Sequence, residues 1–128
     1  MKLNKVHHIA IIASDYARSL DFYTRVLGLT VIAENYRSER ESYKTDLALD
    51  GDYIIELFSF PNPPARVSRP EAAGLRHLAF EVDNIDTAIR ELDAKGIDHE
   101  LVRTYGYTGK RFVFFQDPDG LPIEFYEK

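Results

Sequence analysis

Two histidines and two glutamates stand in this sequence at nearly matched spacing. His8 precedes Glu56 by 48 positions, and His77 precedes Glu124 by 47. Both histidines open the same pattern, His-apolar-Ala-apolar, in "HIAI" and "HLAF". Strand side chains alternate between faces, and each of the four polar residues is followed by a large apolar one: Ile9, Leu57, Leu78 and Phe125. Strands that bury Ile9, Ile11, Ile55, Leu57, Leu78, Phe80, Ile123 and Phe125 under helices therefore carry His8, Glu56, His77 and Glu124 on the other face. Ala10 and Ala79, two positions past the histidines, leave room beside the imidazoles. Two carboxylates facing inward are costly unless compensated, and one divalent cation neutralises both. Imidazole with carboxylate suits zinc, nickel, cobalt or iron, whereas carboxylate alone suits magnesium or calcium better. Four protein ligands leave open positions on a five- or six-coordinate ion, which a catalytic metal needs. A single strand His or Glu is usually a surface residue; the repetition carries the metal reading. Of the neighbours His7 and His8, only His8 aligns with His77, so His7 is expected at the rim or behind the ligand.

The elements that must position these residues also repeat. "HIAIIASDYARSLDFYTRVLGLTV" from His8 aligns with "HLAFEVDNIDTAIRELDAKGIDHE" from His77. Each runs from a strand into an acidic cap region, at Asp15 and Asp83, and then a helical stripe. The stripes are Ala17, Leu20, Tyr23 and Leu27 in one copy, and Ile85, Ile89 and Leu92 in the other. Each stops at a glycine, Gly28 or Gly96, as a helix C-cap does. "LALDGDYIIELFSF" and "FFQDPDGLPIEFYEK" each read as strand, Asp-Gly turn, strand. The sum is an α+β chain of two tandem βαβββ modules, about 4–60 and 75–128, within one domain spanning 1–128. The segment 61–74, "PNPPARVSRPEAAG", holds four of the six prolines and reads as a connector, since proline suits neither a central strand nor a helix interior.

Composition narrows the function classes. The chain has 128 residues, is 45% hydrophobic and 29% charged, and contains no cysteine. Disulfides, thiolate catalysis and cysteine zinc sites are thereby excluded. A net charge of −5 argues against a nucleic-acid footprint, which needs clustered positive charge. The N-terminal apolar run is too short for a membrane span and lacks a cleavage site; the expected location is the cytoplasm. Arg37, Arg40, Arg76, Arg103, Lys110 and Arg111 could meet an anionic substrate, though most such residues are solvated surface. Lys110 and Arg111 adjoin the glycine-flanked turn "YGYTGK", and Phe58, Phe60, Tyr126 and Phe114 could line the concave face, though strand aromatics are more often core; Lys110, Arg111, Phe58, Phe60 and Tyr126 are the five weak substrate candidates. His99 has no partner in the repeat and is read as a surface residue.

"HHIAIIASDYARSLDFYTRVLGL", "YIIELF", "GLRHLAFEVDNID" and "DPDGLPIEFYE" together resemble the vicinal oxygen chelate superfamily, in particular its glyoxalase I-like proteins (lactoylglutathione lyases). The likeness covers nearly the whole chain and is nearest to a bacterial subgroup carrying "ELFSFPNPP" and "SRPEAAGLRH". It implies the glyoxalase/bleomycin resistance/extradiol dioxygenase fold, two βαβββ modules forming a metal-binding cup. It implies the same four ligands, His8, Glu56, His77 and Glu124, around one divalent metal per site (Ni²⁺, Zn²⁺, Co²⁺ or Fe²⁺). In glyoxalase I the metal binds a glutathione hemithioacetal and stabilises an enediolate while a carboxylate moves a proton between adjacent carbons. By that likeness Glu124 is the base and Glu56 a ligand able to act as second proton carrier. Two departures point away from glutathione: Ile12 stands where arginine is usual, and Phe60 where asparagine is. The implied function is a metal-dependent lyase or isomerase acting on a small oxygenated substrate. The alternatives are an extradiol-type dioxygenase, a thiol transferase, a non-catalytic small-molecule-binding protein and an epimerase of acyl-CoA thioesters, which runs a similar proton transfer. Glu56 counts against the first two, which use three ligands, and retention of all four counts against the third. The likeness also implies a homodimer, with the cup formed within a chain or across the pair.

Overall fold

The computed structural model describes residues 1–128 and divides into two compact units, Met1–Ala65 and Arg66–Lys128. Each is a βαβββ unit, so the fold is α+β. In the first, β1 (Ile9–Ala13) leads through α1 (Tyr16–Asp21) to β2 (Thr30–Arg37), β3 (Ser42–Leu49) and β4 (Asp52–Ser59). In the second, β5 (Leu78–Val82) leads through α2 (Ile85–Ala94) to β6 (Arg103–Thr104), β7 (Arg111–Gln116) and β8 (Pro122–Glu127). The sheet orders match, β1-β4-β3-β2 and β5-β8-β7-β6. The first strand of each unit is parallel to the last, a pairing that needs a crossover, here through the helix.

Unit 1 buries one face of its sheet. Ile11, Ala13, Leu47, Ile55 and Leu57 are buried together with Phe22, Tyr23, Val26 and Leu29. Full burial of each such aliphatic side chain stabilises by roughly 1.5–3 kcal/mol. Asp15 caps α1 by accepting from the Arg18 backbone N–H. The helix does not continue as the expected α-helical stripe. Residues Phe22–Val26 form a π-helical turn, in which the Leu27 N–H donates to the Phe22 carbonyl at 3.1 Å. Thr24 Oγ1 also donates to the Leu20 carbonyl at 2.6 Å, competing for an acceptor of the ladder. The wider turn rotates one helical segment against the other, so Ser19, Phe22, Tyr23 and Val26 are buried and Ala17 is exposed. Of the stripe Ala17, Leu20, Tyr23 and Leu27, only Tyr23 lies fully in the core.

The β3–β4 hairpin closes through the two-residue loop Asp50–Gly51, with φ of 50° and 86°. Positive φ at both positions matches the twist of the flanking strands. Past the turn, Ala48 pairs with Tyr53 but Leu47 pairs with Ile55. Ile54 is therefore an extra residue on β4, a bulge that reverses which face Tyr53 presents.

Unit 2 keeps closely to the alternation. Ile85, Leu92, Val113, Phe115 and Ile123 are buried between α2 and one sheet face. Asn84, one residue past the expected Asp83, caps α2 by accepting from the Thr87 N–H at 2.9 Å. The β7–β8 connection is held by Asp117, whose Oδ1 accepts from the N–H groups of Asp119 and Leu121 at 2.9 Å each. No helix of the chain is long and apolar enough to cross a membrane.

Candidate metal centre

Each histidine lies one residue ahead of the first strand of its unit, and each glutamate lies on the last strand. The parallel register sets Ala10 beside Glu56 and Ala79 beside Glu124. The methyl groups leave the carboxylates space to lean toward the imidazoles. In unit 2, His77 Nε2 is 3.0 Å from Glu124 Oε2. In unit 1, His8 Nε2 is 3.9 Å from Glu56 Oε1, beyond hydrogen-bond reach. Two donors each about 2.0–2.2 Å from a shared ion stand about 3.0 Å apart at a right angle and about 3.4 Å apart at the tetrahedral angle. The His77–Glu124 separation fits an ion as it stands, and the His8–Glu56 separation fits after closing by about half an ångström. Both histidine side chains are about one-third exposed, at 37% and 35%, and both glutamates are largely covered, at 15% and 12%. Open imidazoles beside sheltered carboxylates suit a hard-to-intermediate divalent ion. Each unit thus brings together one imidazole and one carboxylate, a donor pair that a divalent ion can share but short of a full ligand set, since no group of three or more His, Asp or Glu that could hold a metal ion is assembled.

The surroundings of the two glutamates differ. Asp46 lies directly across from Glu56 in the β3–β4 register. Lys44 Nζ bridges them, 2.9 Å from Asp46 Oδ1 and 3.2 Å from Glu56 Oε2. The Tyr53 hydroxyl donates to the same two oxygens at 2.8 and 3.2 Å. Both donors hold Oε2 of Glu56 and leave Oε1 toward His8. Burial tends to raise the Asp46 carboxyl, but the bonds from Lys44 and Tyr53 outweigh it and hold it below its ordinary value. Burial and the two carboxylates push the Tyr53 phenol far up, so it remains a donor. The Tyr53 ring lies 5.1 Å from that of His8 and 5.2 Å from that of His7. His7 Nδ1 meets His8 Nδ1 at 2.9 Å, which ties up the His8 nitrogen that does not face Glu56.

In unit 2 the matching places are aromatic. Phe114 lies across from Glu124, and Phe112 across from Tyr126. Phe114 meets the His77 ring edge-on at 5.1 Å. Arg103 lies over Phe112 and Phe114, at 5.1 and 5.6 Å, and pairs with Glu100.

The five weak substrate candidates are dispersed. Phe58 shares the face of Glu56, stacks with Phe60 at 5.7 Å and lies under Arg37 at 5.2 Å. Tyr126 shares the face of Glu124, and its hydroxyl meets Thr108 Oγ1 at 2.6 Å. Arg111 instead alternates to the helix side, pairing with Asp86 of α2 at 3.2 Å and Glu127 at 2.8 Å. Lys110 Nζ donates to the Lys128 carbonyl. His99 is not a free surface residue. It pins the end of α2, with Nε2 2.9 Å from Asp93 and Nδ1 2.8 Å from the Glu100 carbonyl. The residues not foreseen around the site are Lys44, Asp46, Tyr53 and Phe112. The alternation "KTDL" in β3 signals the first two, whereas the bulge hides the third.

Comparison with known proteins accords with this architecture. Residues 5–125 match the family described as Glyoxalase/Bleomycin resistance protein/Dioxygenase superfamily. The chain is 62% identical over 128 residues to the "Uncharacterized protein YwkD" of Bacillus subtilis, covering 100% of both chains. It is 32% identical over 129 residues to a lactoylglutathione lyase of Escherichia coli O157:H7, covering 94% of this chain and 90% of that one. The crystal structure of a glyoxalase family protein from Enterococcus faecalis superposes with a TM-score of 0.92 at 46% identity, covering 99% of this chain and 100% of that one.

Proposed function

The chain belongs to the glyoxalase/bleomycin resistance protein/dioxygenase superfamily, and from that premise we propose that it is a metal-dependent lyase or isomerase of glyoxalase I type. The observation that carries the reading is the His–Glu pair found at the same register position in both units. Together His8, Glu56, His77 and Glu124 supply four ligands to one divalent cation, within one chain or across a homodimer with two equivalent sites. When bound, the cation supplies Lewis-acid polarisation of the substrate's vicinal oxygens. Glu124 takes a proton from one of the two oxygen-bearing carbons and returns it to the other. A carboxylate suits that role when it is sheltered and close to its partner, as Glu124 is beside His77 and across from Phe114. Glu56 is the anchored ligand, since Lys44 and Tyr53 already hold one of its oxygens. Phe114, directly across from Glu124, gives the carboxylate that moves the proton an apolar neighbour.

The test is metal stoichiometry by elemental analysis for the wild type, Glu56→Ala and His77→Ala. The expected result is a near-stoichiometric divalent metal in the wild type and a loss in both variants. Unchanged stoichiometry in both would sink the four-ligand site. Turnover of methylglyoxal–thiol adducts is then compared with that of catechols; catechol turnover with O₂ uptake would assign the chain to the dioxygenases. Sedimentation of the metal-loaded protein is expected to give a dimer, and a monomer with full metal content would contradict the homodimer.

A further inference from the structure

We propose that Tyr53 is a positioning residue for the unit 1 ligand pair, orienting His8 with its ring and Glu56 with its hydroxyl. This role rests on the metal reading of the four-ligand set. Tyr53 touches both members of the pair: its ring centroid is 5.1 Å from that of His8 at a 34° tilt, and its hydroxyl is 3.2 Å from Glu56 Oε2. The same hydroxyl lies 2.8 Å from Asp46 Oδ1, so the group that aims Glu56 is itself anchored on the next strand. Strand alternation alone would send Tyr53 to the face of Ile55 and Leu57. The extra residue Ile54 turns it onto the ligand face, and bulges of this kind commonly re-aim a side chain beside an active site.

The consequence is a carboxylate with one engaged oxygen and one presented oxygen. Oε2 receives Tyr53 and Lys44, while Oε1 faces His8. That arrangement favours single-oxygen coordination by Glu56 and disfavours chelation through both. In unit 2 the place across from Gln116, two residues past Phe114, is taken by Pro122, as Tyr53 lies across from Ala48, two residues past Asp46, and proline has no hydroxyl to give. The device therefore belongs to unit 1, whose pair is the more separated one.

The experiment titrates Co²⁺ into the metal-free protein and follows heat and the visible d–d absorption for the wild type, Tyr53→Phe and Tyr53→Leu. Tyr53→Phe keeps the ring and the volume, so it decides the question even where Tyr53→Leu fails to fold. Losing an outer partner of a metal ligand typically weakens affinity about 10–100-fold. Tyr53→Phe is expected to fall in that range with a shifted d–d band, and Tyr53→Leu to fall further. A wild type that takes up no Co²⁺ overturns the metal reading itself. A wild type that binds Co²⁺, beside a Tyr53→Phe protein of equal affinity and identical spectrum, overturns the positioning role alone.

Discussion

Glu56 sits among charges: Asp46 faces it across the sheet, and Lys44 and Tyr53 bridge the two. Glu124 occupies the equivalent place in the other unit and faces a phenylalanine. The backbone frame is shared, with the same strand order, the same parallel pairing and an alanine beside each carboxylate. The difference lies in two side chains of the adjacent strand, Lys44 and Asp46 against Phe112 and Phe114. A charged surround fixes a carboxylate by competing hydrogen bonds. An aromatic surround offers no hydrogen bond of its own to a carboxylate and leaves both its oxygens free of such competition. Duplication of one unit thus leaves two carboxylates in different surroundings, and the proposed function gives them different tasks, one to hold and one to react. Unit 2 does carry charges, but Arg111, Asp86 and Glu127 lie on the helix side of its sheet, and Arg103, stacked on Phe112 and Phe114, is paired with Glu100 and not with Glu124.

The largest effect expected from this asymmetry is on rate. Glu124→Gln is expected to lower kcat by on the order of 10²–10⁴-fold, the span for loss of a general base, even at saturating metal. Glu56→Gln is expected to weaken metal binding by more than about tenfold, with kcat largely recovered when metal is in excess. Steady-state kinetics across a metal titration separates the two, and equal behaviour of both variants would erase the division of labour.

Next in size is stability. Lys44→Met leaves Asp46 and Glu56 side by side, at an expected cost of about 1–2 kcal/mol at neutral pH. The folded Asp46 carboxyl lies below its ordinary value, so its contribution is present above the unfolded carboxylate range and disappears as pH falls through the folded value. The gap between wild type and Lys44→Met is therefore expected to close in acid, as read by denaturant unfolding from pH 7 to pH 3. Phe112→Leu, the matched change in unit 2, is expected to show no such pH dependence.

A smaller effect probes the charges that unit 2 keeps off its ligand face. The bond to the Glu100 carbonyl raises the His99 pKa, against burial, with Asp93 and Asp98 adding to it. A raised folded value means stability present below about 6.5 and lost as pH rises through the folded value. His99→Gln is expected to cost under about 1 kcal/mol, more at pH 5.5 than at pH 8.5 in thermal unfolding. The smallest change is expected from His7→Ala. Its exposed contact with the far nitrogen of His8 limits the loss of Co²⁺ affinity to under about tenfold, whereas His8→Ala empties the site.

Much of this is legible along the chain because strands and hairpins announce themselves locally. The parity of Ile9, Leu57, Leu78 and Phe125 is enough to put a histidine and a glutamate on one face of each sheet. The departures have local causes as well. The stripe over Ala17 and Leu20 assumes 3.6 residues per turn, and a single π-helical turn, with Thr24 competing for a carbonyl, displaces it. His99 reads as solvent-facing because it has no partner in the repeat; its partners, Asp93 and a backbone carbonyl, serve the end of a helix and not the ligand face.

The repeat, the faces and the four polar positions were therefore determined by the sequence alone, since a periodicity of two and the helix caps depend only on near neighbours. Tertiary structure decided which donors converge. The bulge at Ile54 turned Tyr53 toward Glu56, and the cross-strand register set Lys44 and Asp46 against one glutamate and Phe112 and Phe114 against the other. Register joins residues far apart in the chain, and one inserted residue inverts every face beyond it, so these partners exist only once the strands have paired.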